Sequence, residues 1–377
     1  MKEPSVANHP GMHLKKEWIT LLREQAPEAE KLGRLTARQL RLFYEEGWFK
    51  ALVPRKYGGL EWSLSTVVAF EEAIGWAEGS AGWVFTLCSG AGWFGGYLDP
   101  VVAKRIFSPK KACLAGSGAV GGVAEELQNG QWQIRGQWQY ATGAPHASYY
   151  TANVFLPAEN KVRAIMLPPR AVNIQQTWKT IGLIASASES FQVACHEQSG
   201  LYFFDIDPDH PVVKASLYRL PFGALAEATI AANFSGMALH YMEEVAGLWA
   251  ARKDVIHPFS GLVSKQPGWM DAAQKVYKMH WRQWQQARAQ LFRAVEKLEN
   301  YVNTHMTVPE LSGDKKYLQR SMEVSKAAQH LSAACRQAVN NLYPYTGLTG
   351  AAMDSAIGKI WRDFQTGSQH ALFVPGQ

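Results

Sequence analysis

Two short stretches hold the residue types that could do chemistry. Thr142–Gly143–Ala144–Pro145–His146 follows a run in which Trp132, Trp138 and Tyr140 alternate with polar residues, and Trp361–His370 ("WRDFQTGSQH") sets an Arg-Asp pair ahead of a histidine. A threonine hydroxyl can donate or accept a hydrogen bond at a reacting atom. An imidazole titrates near neutrality, so His370 can take or give a proton at physiological pH. A histidine this close to the end of a chain often only caps a helix; its spacing from Arg362–Asp363 favours the acid–base reading. His146 either contacts a substrate or closes the turn that Pro145 begins, the turn being the simpler role. The four cysteines, Cys88, Cys113, Cys195 and Cys335, stand far apart with no CxxC pair. That argues against zinc ribbons and disulfide frameworks, and for small core residues in a reducing compartment, with no metal site.

Composition narrows the class. With 377 residues, 47% hydrophobic and 19% charged, the chain is long enough for two or three folded domains and too apolar to be disordered. Its 14 tryptophans, 14 tyrosines and 16 phenylalanines suit large cores or a flat ligand. The net charge of +6 is spread without a Lys/Arg block, so nucleic acid is not an expected partner. No apolar run is long enough to span a membrane, and the start, "MKEPSVANHPGMH", lacks the apolar core of a signal peptide. A cytoplasmic location is expected.

The elements that must position these residues change character twice. From Met12 to Phe107 the pattern is helical: Val67, Phe70, Ile74 and Ala77 recur at helical spacing after a candidate cap at Ser63 or Ser65, and Ser80 stands ahead of the apolar run Ala81–Tyr97. Val53–Gly59 reads as a tight interhelical turn. From Ala112 to Val213 the chain is β-like, with a hairpin signal at Asn129–Gly130 and strand candidates at Trp138/Tyr140, Tyr150–Phe155, Ala164–Leu167, Phe191–Ala194 and Tyr202–Phe204. "AGSGAVGG" (Ala115–Gly122) resembles a dinucleotide fingerprint only superficially, since no βαβ pattern surrounds it, and it reads as a loop. From Phe222 three long helices, each with one apolar stripe, are joined at His257–Gly268 and Thr304–Gly313, and a last helix is expected over about Leu348–Leu372. The expected architecture is α+β and multidomain: an all-α part over 1–111, a central β-barrel or sandwich over 112–215, and a C-terminal four-helix bundle over 216–377.

This order resembles the acyl-CoA dehydrogenase superfamily. The resemblance runs from Leu42 to Leu372 and is carried by Glu45–Gly59, Phe70–Val84, Gly136–Ala147, Thr177–Val193 and Trp361–Phe373. It implies a flavin, FAD or FMN, held where the β-domain meets the helices. Tyr140, Thr142, Gly143, Trp178, Ser186, Ser188 and Ser190 would hold the cofactor, His370 and Thr142 would be catalytic, and His146, Trp83, Trp93 and Phe94 would meet the substrate. Arg362–Asp363 would be an internal ion pair ordering the last helix. Where many dehydrogenases of the superfamily carry a catalytic glutamate after the Arg-Asp pair, this chain has His370 and Ala371. The Arg-x-x-Phe-Gly segment is also missing before Trp269–Val276. Both departures lean toward the flavin-dependent monooxygenase branch, although the second histidine of several members is absent from Thr86–Asp99. The branch implies hydroxylation of a small aromatic or heterocyclic substrate through a flavin C4a-hydroperoxide. It also implies reduced flavin from a separate reductase and a homotetramer. The alternatives are an FAD-dependent dehydrogenase of acyl thioesters and a catalytically silent helical scaffold.

Overall fold

The computed structural model describes residues 9–251, 255–256, 263–264 and 269–374. Polar side chains decide where its first helices begin. After α1 (Lys16–Leu32), Thr36 and Gln39 cap α2 (Ala37–Glu45) reciprocally, each side chain accepting from the other's backbone N–H. Ser63 caps α3 (Leu64–Ala77), as one of the two expected serines. The next cap is Glu78 instead of Ser80: its carboxylate accepts from the Ala81 N–H at 2.7 Å and starts α4 at Gly79. A negative charge gains more at a helix N-terminus than a hydroxyl does. The run expected to continue to Tyr97 ends as α-helix at Gly92 and tightens into a 3-10 turn, Trp93–Gly96, before Asp99 caps α5 (Pro100–Phe107).

Seven strands follow in one sheet: β1 (Leu114–Glu126), β2 (Gln131–Ala141), β3 (Tyr149–Leu156), β4 (Lys161–Leu167), β5 (Asn173–Gln175), β6 (Glu189–Ser199) and β7 (Phe203–Phe204). Their spatial order is β5-β6-β2-β1-β3-β4-β7, so the expected barrel or sandwich is a single sheet with β5 and β7 at its edges. The β1–β2 turn falls at Asn129–Gly130, Gly130 taking φ +73°. The glycine-rich run read as a loop is the body of β1. A Cβ on Gly122 would stand 2.4 Å from the Trp138 ring, so the glycines are there to let that indole cross the strand. β1 pairs parallel with β3, and the register slips between Gly116 and Val120. That slip re-aims residues 117–119 away from the ladder.

The C-terminal helices are α6 (Phe222–Ala251), α7 (Met270–Thr304), α8 (Lys315–Leu342), the short α9 (Leu348–Ala351) and α10 (Ala356–Gly367). The single last helix expected over Leu348–Leu372 is thus divided. α6 differs from the expected one-striped helix, being buried on nearly every side between α3, α4, α8 and α10. Backbones touch there: a Cβ on Gly236 would fall 2.1 Å from the Glu72 carbonyl oxygen. The Glu72 carboxylate, fully buried, receives Arg288 of α7 at 2.7–2.9 Å and the Ser235 hydroxyl of α6 at 2.6 Å, tying three helices together. One continuous apolar core runs through the N- and C-terminal helices, and a second lies within the sheet around Trp138, Tyr150 and Phe191. Most of the expected connector from His257 to Gly268 lies outside the described residues. Among those described, no helix is long and apolar enough to cross a membrane.

Candidate active site

β2 leaves the sheet with Tyr140 at φ +63°, and Gly143 at φ +74° turns the chain into the 3-10 turn Ala144–His146. Between them Thr142 is buried. Its Oγ1 lies 2.8 Å from Ser188 Oγ, which lies 2.8 Å from Ser186 Oγ, while the Gly143 N–H donates to the Ser186 carbonyl at 3.0 Å. Each hydroxyl has one proton, so when Ser186 donates to Ser188 and Ser188 to Thr142, the Thr142 proton is free to point outward, polarised by the other two. Ser190 is not part of this chain; it pairs with Thr177 at 2.7 Å. Tyr140 is exposed and meets Trp178 edge-on at 6.2 Å, on the outer side of the loop. The Trp178 indole N–H donates to the Leu183 carbonyl.

Leu183 and Ala187 both hold left-handed backbone (φ +49° and +46°), a costly conformation for residues with a Cβ. α10 holds them. Asp363 accepts from the Leu183 N–H at 2.6 Å, and a Cβ on Gly182 would strike the Arg362 carbonyl. Arg362 and Asp363 do not pair with each other. Arg362 reaches Glu30 (2.9 Å) and the Ile181 carbonyl, whereas Lys359 sits between Asp363 (2.6 Å) and Glu78 (2.5 Å). Burial opposes the lysine's charge, but Asp363 and Glu78 outweigh it and push its pKa up. Adjacent residues on a helix point about 100° apart, so neighbours in sequence grip different partners.

Past α10, His370 opens the final 3-10 turn, its Nδ1 accepting from the Leu372 N–H at 3.3 Å. Its ring lies edge-on to Trp83, centroids 5.9 Å apart, and burial lowers its pKa, so the imidazole is neutral at pH 7. Trp83 in turn stacks on Phe234 of α6.

A cavity of about 190 Å³ opens between α4, α6 and the sheet. Its walls are Thr86, Leu87, Gly90 and Phe94 on one side and Phe222, Leu225, Thr229 and Ile230 on another; Gly116–Gly118, Thr142, Thr151 and Asn153 form the third. The strand slip in β1 is therefore what presents residues 116–118 to the cavity. Trp83 stands one turn before Thr86 and Leu87 on the same face of α4, so that face has His370 against its first turn and the cavity along the next two. Of the expected aromatic contacts, Phe94 lines the cavity. Trp93 turns into the core, its indole N–H on the Leu217 carbonyl at 2.9 Å.

His146 packs its ring at a tilt against Phe49 (centroids 5.5 Å apart) outside the cavity, and both its ring nitrogens are buried without hydrogen bonds. Beside it stand Cys88 and Cys113, two cysteines that sequence order keeps apart. The neighbouring Cys113 thiol, with His146 assisting, lowers the Cys88 pKa to about 6 against the opposing effect of burial. Cys335 is also buried, whereas Cys195 is exposed and is no core residue. Residues 116–118, Thr151 and Asn153 escape a reading of the sequence because their role comes from a register slip, which leaves no motif.

These residues fit a flat aromatic group with a polar edge. Nothing lies within 4 Å of where a Cβ would stand on Gly90 or Gly118, leaving room for a planar ring system, and Thr142 and Ser117 offer hydroxyls at the rim. No Asp or Glu lines the cavity among the described residues. Helices, a central sheet and a helical bundle, with a cavity at their junction, are the arrangement of the acyl-CoA dehydrogenase-like fold.

The comparisons agree. Residues 269–375 match the family described as acyl-CoA dehydrogenase, C-terminal domain. Indole-3-acetate monooxygenase from Pseudomonas putida is 23% identical, over 93% of this chain and 87% of its own. The oxygenase subunit HsaA of a flavin-dependent monooxygenase from Rhodococcus jostii is 21% identical, over 95% and 93%. Among solved structures, XiaF from Streptomyces sp., in complex with FADH2 and glycerol, superposes with a TM-score of 0.80 at 18% identity, covering 96% of this chain and 93% of that one. The chain thus has the acyl-CoA dehydrogenase fold, and its relatives are flavin-dependent monooxygenases.

Proposed function

We propose that this protein is the oxygenase component of a two-component flavin-dependent monooxygenase that hydroxylates a small aromatic or heterocyclic compound. It uses FAD or FMN in reduced form, delivered by a separate reductase, and works in the cytoplasm as a homotetramer built from units 1–111, 112–215 and 216–377. The observation that carries the reading is the cavity itself: apolar, lined by no carboxylate among the described residues, and edged by the Thr142 hydroxyl. A dehydrogenase acting on acyl thioesters needs a base at that wall, and no carboxylate stands there among the described residues. The relatives, an indole-3-acetate monooxygenase and an oxygenase subunit of a flavin-dependent monooxygenase, support the same reading.

Bound reduced flavin would supply oxygen activation. The chain's own residues do the rest. Thr142, Ser117 and the backbone of residues 116–118 offer the donors for the ring edge, with Ser186 and Ser188 fixing the direction of the Thr142 proton. Leu87, Phe94, Phe222 and Leu225 keep water from the reacting centre. Neutral His370 stands behind Trp83 and outside the cavity lining, so its acid–base role requires a substrate hydroxyl or ring N–H to reach it past the Trp83 ring. Tyr140, Gly143, Trp178 and Ser190 flank the cofactor loop, and Trp83 separates His370 from the cavity wall.

Anaerobic titration with oxidised and reduced flavin tests this. The expected result is tighter binding of the reduced form, and oxygen-dependent product from an indole or phenol once a flavin reductase is added. Equal affinity for both forms, with bleaching of the bound flavin by an acyl-CoA, would establish the dehydrogenase; no affinity for either would leave a scaffold.

A further inference from the structure

We infer that Cys88, Cys113 and His146 form a binding site for a soft divalent cation of the zinc class, set behind the loop that carries Thr142. Three separate elements supply the donors: Cys88 comes from α4, Cys113 from the residue before β1, and His146 from the turn after β2. One ligand atom from each lies within 4.8 Å of the others. Both thiols are almost wholly buried, at 0% and 1% exposure.

Buried cysteines by themselves are ordinary small core residues. His146 is the second observation. Both ring nitrogens are buried without a hydrogen bond, and a buried polar group left without a partner is costly. The nitrogen and a sulfur also share one point in space: a Cβ on Gly143 would lie 2.9 Å from His146 Nε2 and 2.8 Å from Cys88 Sγ. Two thiolates and an imidazole are the donor set zinc prefers, and two thiolates cancel its charge in a dry site. A tetrahedral zinc spaces its ligand atoms about 3.8 Å apart, so the donors need to close by only about 1 Å. The Thr142 carbonyl oxygen, 3.5 Å from Cys88 Sγ, stands beside them as a further donor. A cation there would pin α4, the start of the sheet and the Thr142 turn to one another, whatever fills the neighbouring cavity.

The full-length protein, purified under reducing conditions, is loaded with zinc or cobalt(II) alone, with no flavin added, and then gel-filtered. One metal per chain is expected, and the cobalt form should show the near-ultraviolet charge-transfer band of thiolate ligation. Cys88→Ser and Cys113→Ser should lose that band and His146→Gln should lower metal retention at least about tenfold, while the exposed Cys195→Ser keeps both. Should a variant misfold by circular dichroism, the wild-type cobalt spectrum still decides. Less than a tenth of a metal per chain with no charge-transfer band overturns the site. So does a denatured thiol titration that finds two free thiols instead of four, since that shows a Cys88–Cys113 disulfide.

Discussion

The roles proposed for His370 and Thr142 each rest on the state of one proton, and each makes a separate prediction. His370→Ala should leave flavin binding nearly intact and slow product formation by about 10²–10⁴-fold, the usual contribution of an acid–base group; single-turnover rates measure it. Because burial lowers the His370 pKa, its neutral form persists below the ordinary histidine range near 6.5. Activity should therefore hold as pH falls through 6.5 and drop only at lower pH, when the ring charges, and the wild-type pH–rate profile should lose that limb in the alanine variant. Thr142→Val keeps the shape but removes the hydroxyl from the Ser186–Ser188 chain, leaving Ser188 with one partner fewer. A stability loss of about 1 kcal/mol is expected, together with weaker binding of reduced flavin; Thr142→Ser should restore both. A serine variant as impaired as the valine would remove the hydroxyl from the argument.

At the scale of elements, charge buried between helices holds the site in place. Lys359 of α10 neutralises Asp363, which positions the strained Leu183, and Glu78, which caps α4. Lys359→Met leaves two buried carboxylates uncompensated and should cost about 3–5 kcal/mol in denaturant unfolding, with the cofactor loop loosened as well. Glu71 of α3 makes the opposite case. It is fully buried with both carboxyl oxygens unpartnered, and burial raises its pKa well above the carboxylate range. The folded chain keeps this group protonated while the unfolded chain ionises it above about pH 4.3, so native stability falls as pH rises between those two pKa values. Glu71→Gln removes that dependence. Its melting temperature relative to wild type should rise from pH 5 to pH 8, and a constant difference would show that Glu71 is paired in solution.

For the whole molecule, the cavity exists because α4, α6 and the sheet approach without filling the space between them. Gly90 sits in the last turn of α4 facing that space. Gly90→Leu should stabilise the helix by up to about 1 kcal/mol, since glycine is a poor helix former. The same side chain should occupy the cavity and raise KM for a bicyclic aromatic more than for a monocyclic one. A variant that is destabilised, or whose KM is unchanged, would place Gly90 away from the substrate.

The order of helix, sheet and helix was legible in the chain because hydrophobic period and turn residues are local signals: the Asn129–Gly130 turn, the Ser63 cap and the stripes of α7 and α8 need nothing beyond their neighbours. Residue type and family resemblance singled out Thr142 and His370; the structure sets Thr142 on the cavity and His370 behind Trp83, away from its lining. Pairing across distance was not legible. Nothing local tells Asp363 to take the Leu183 N–H instead of Arg362, turns Trp93 inward beside an outward Phe94, or carries Cys113 and His146 to Cys88. Those outcomes depend on how rigid elements dock, a matter of side-chain volume and orphaned polar groups shared among segments far apart in sequence. The residue types were written along the chain; which of them meet was decided by packing.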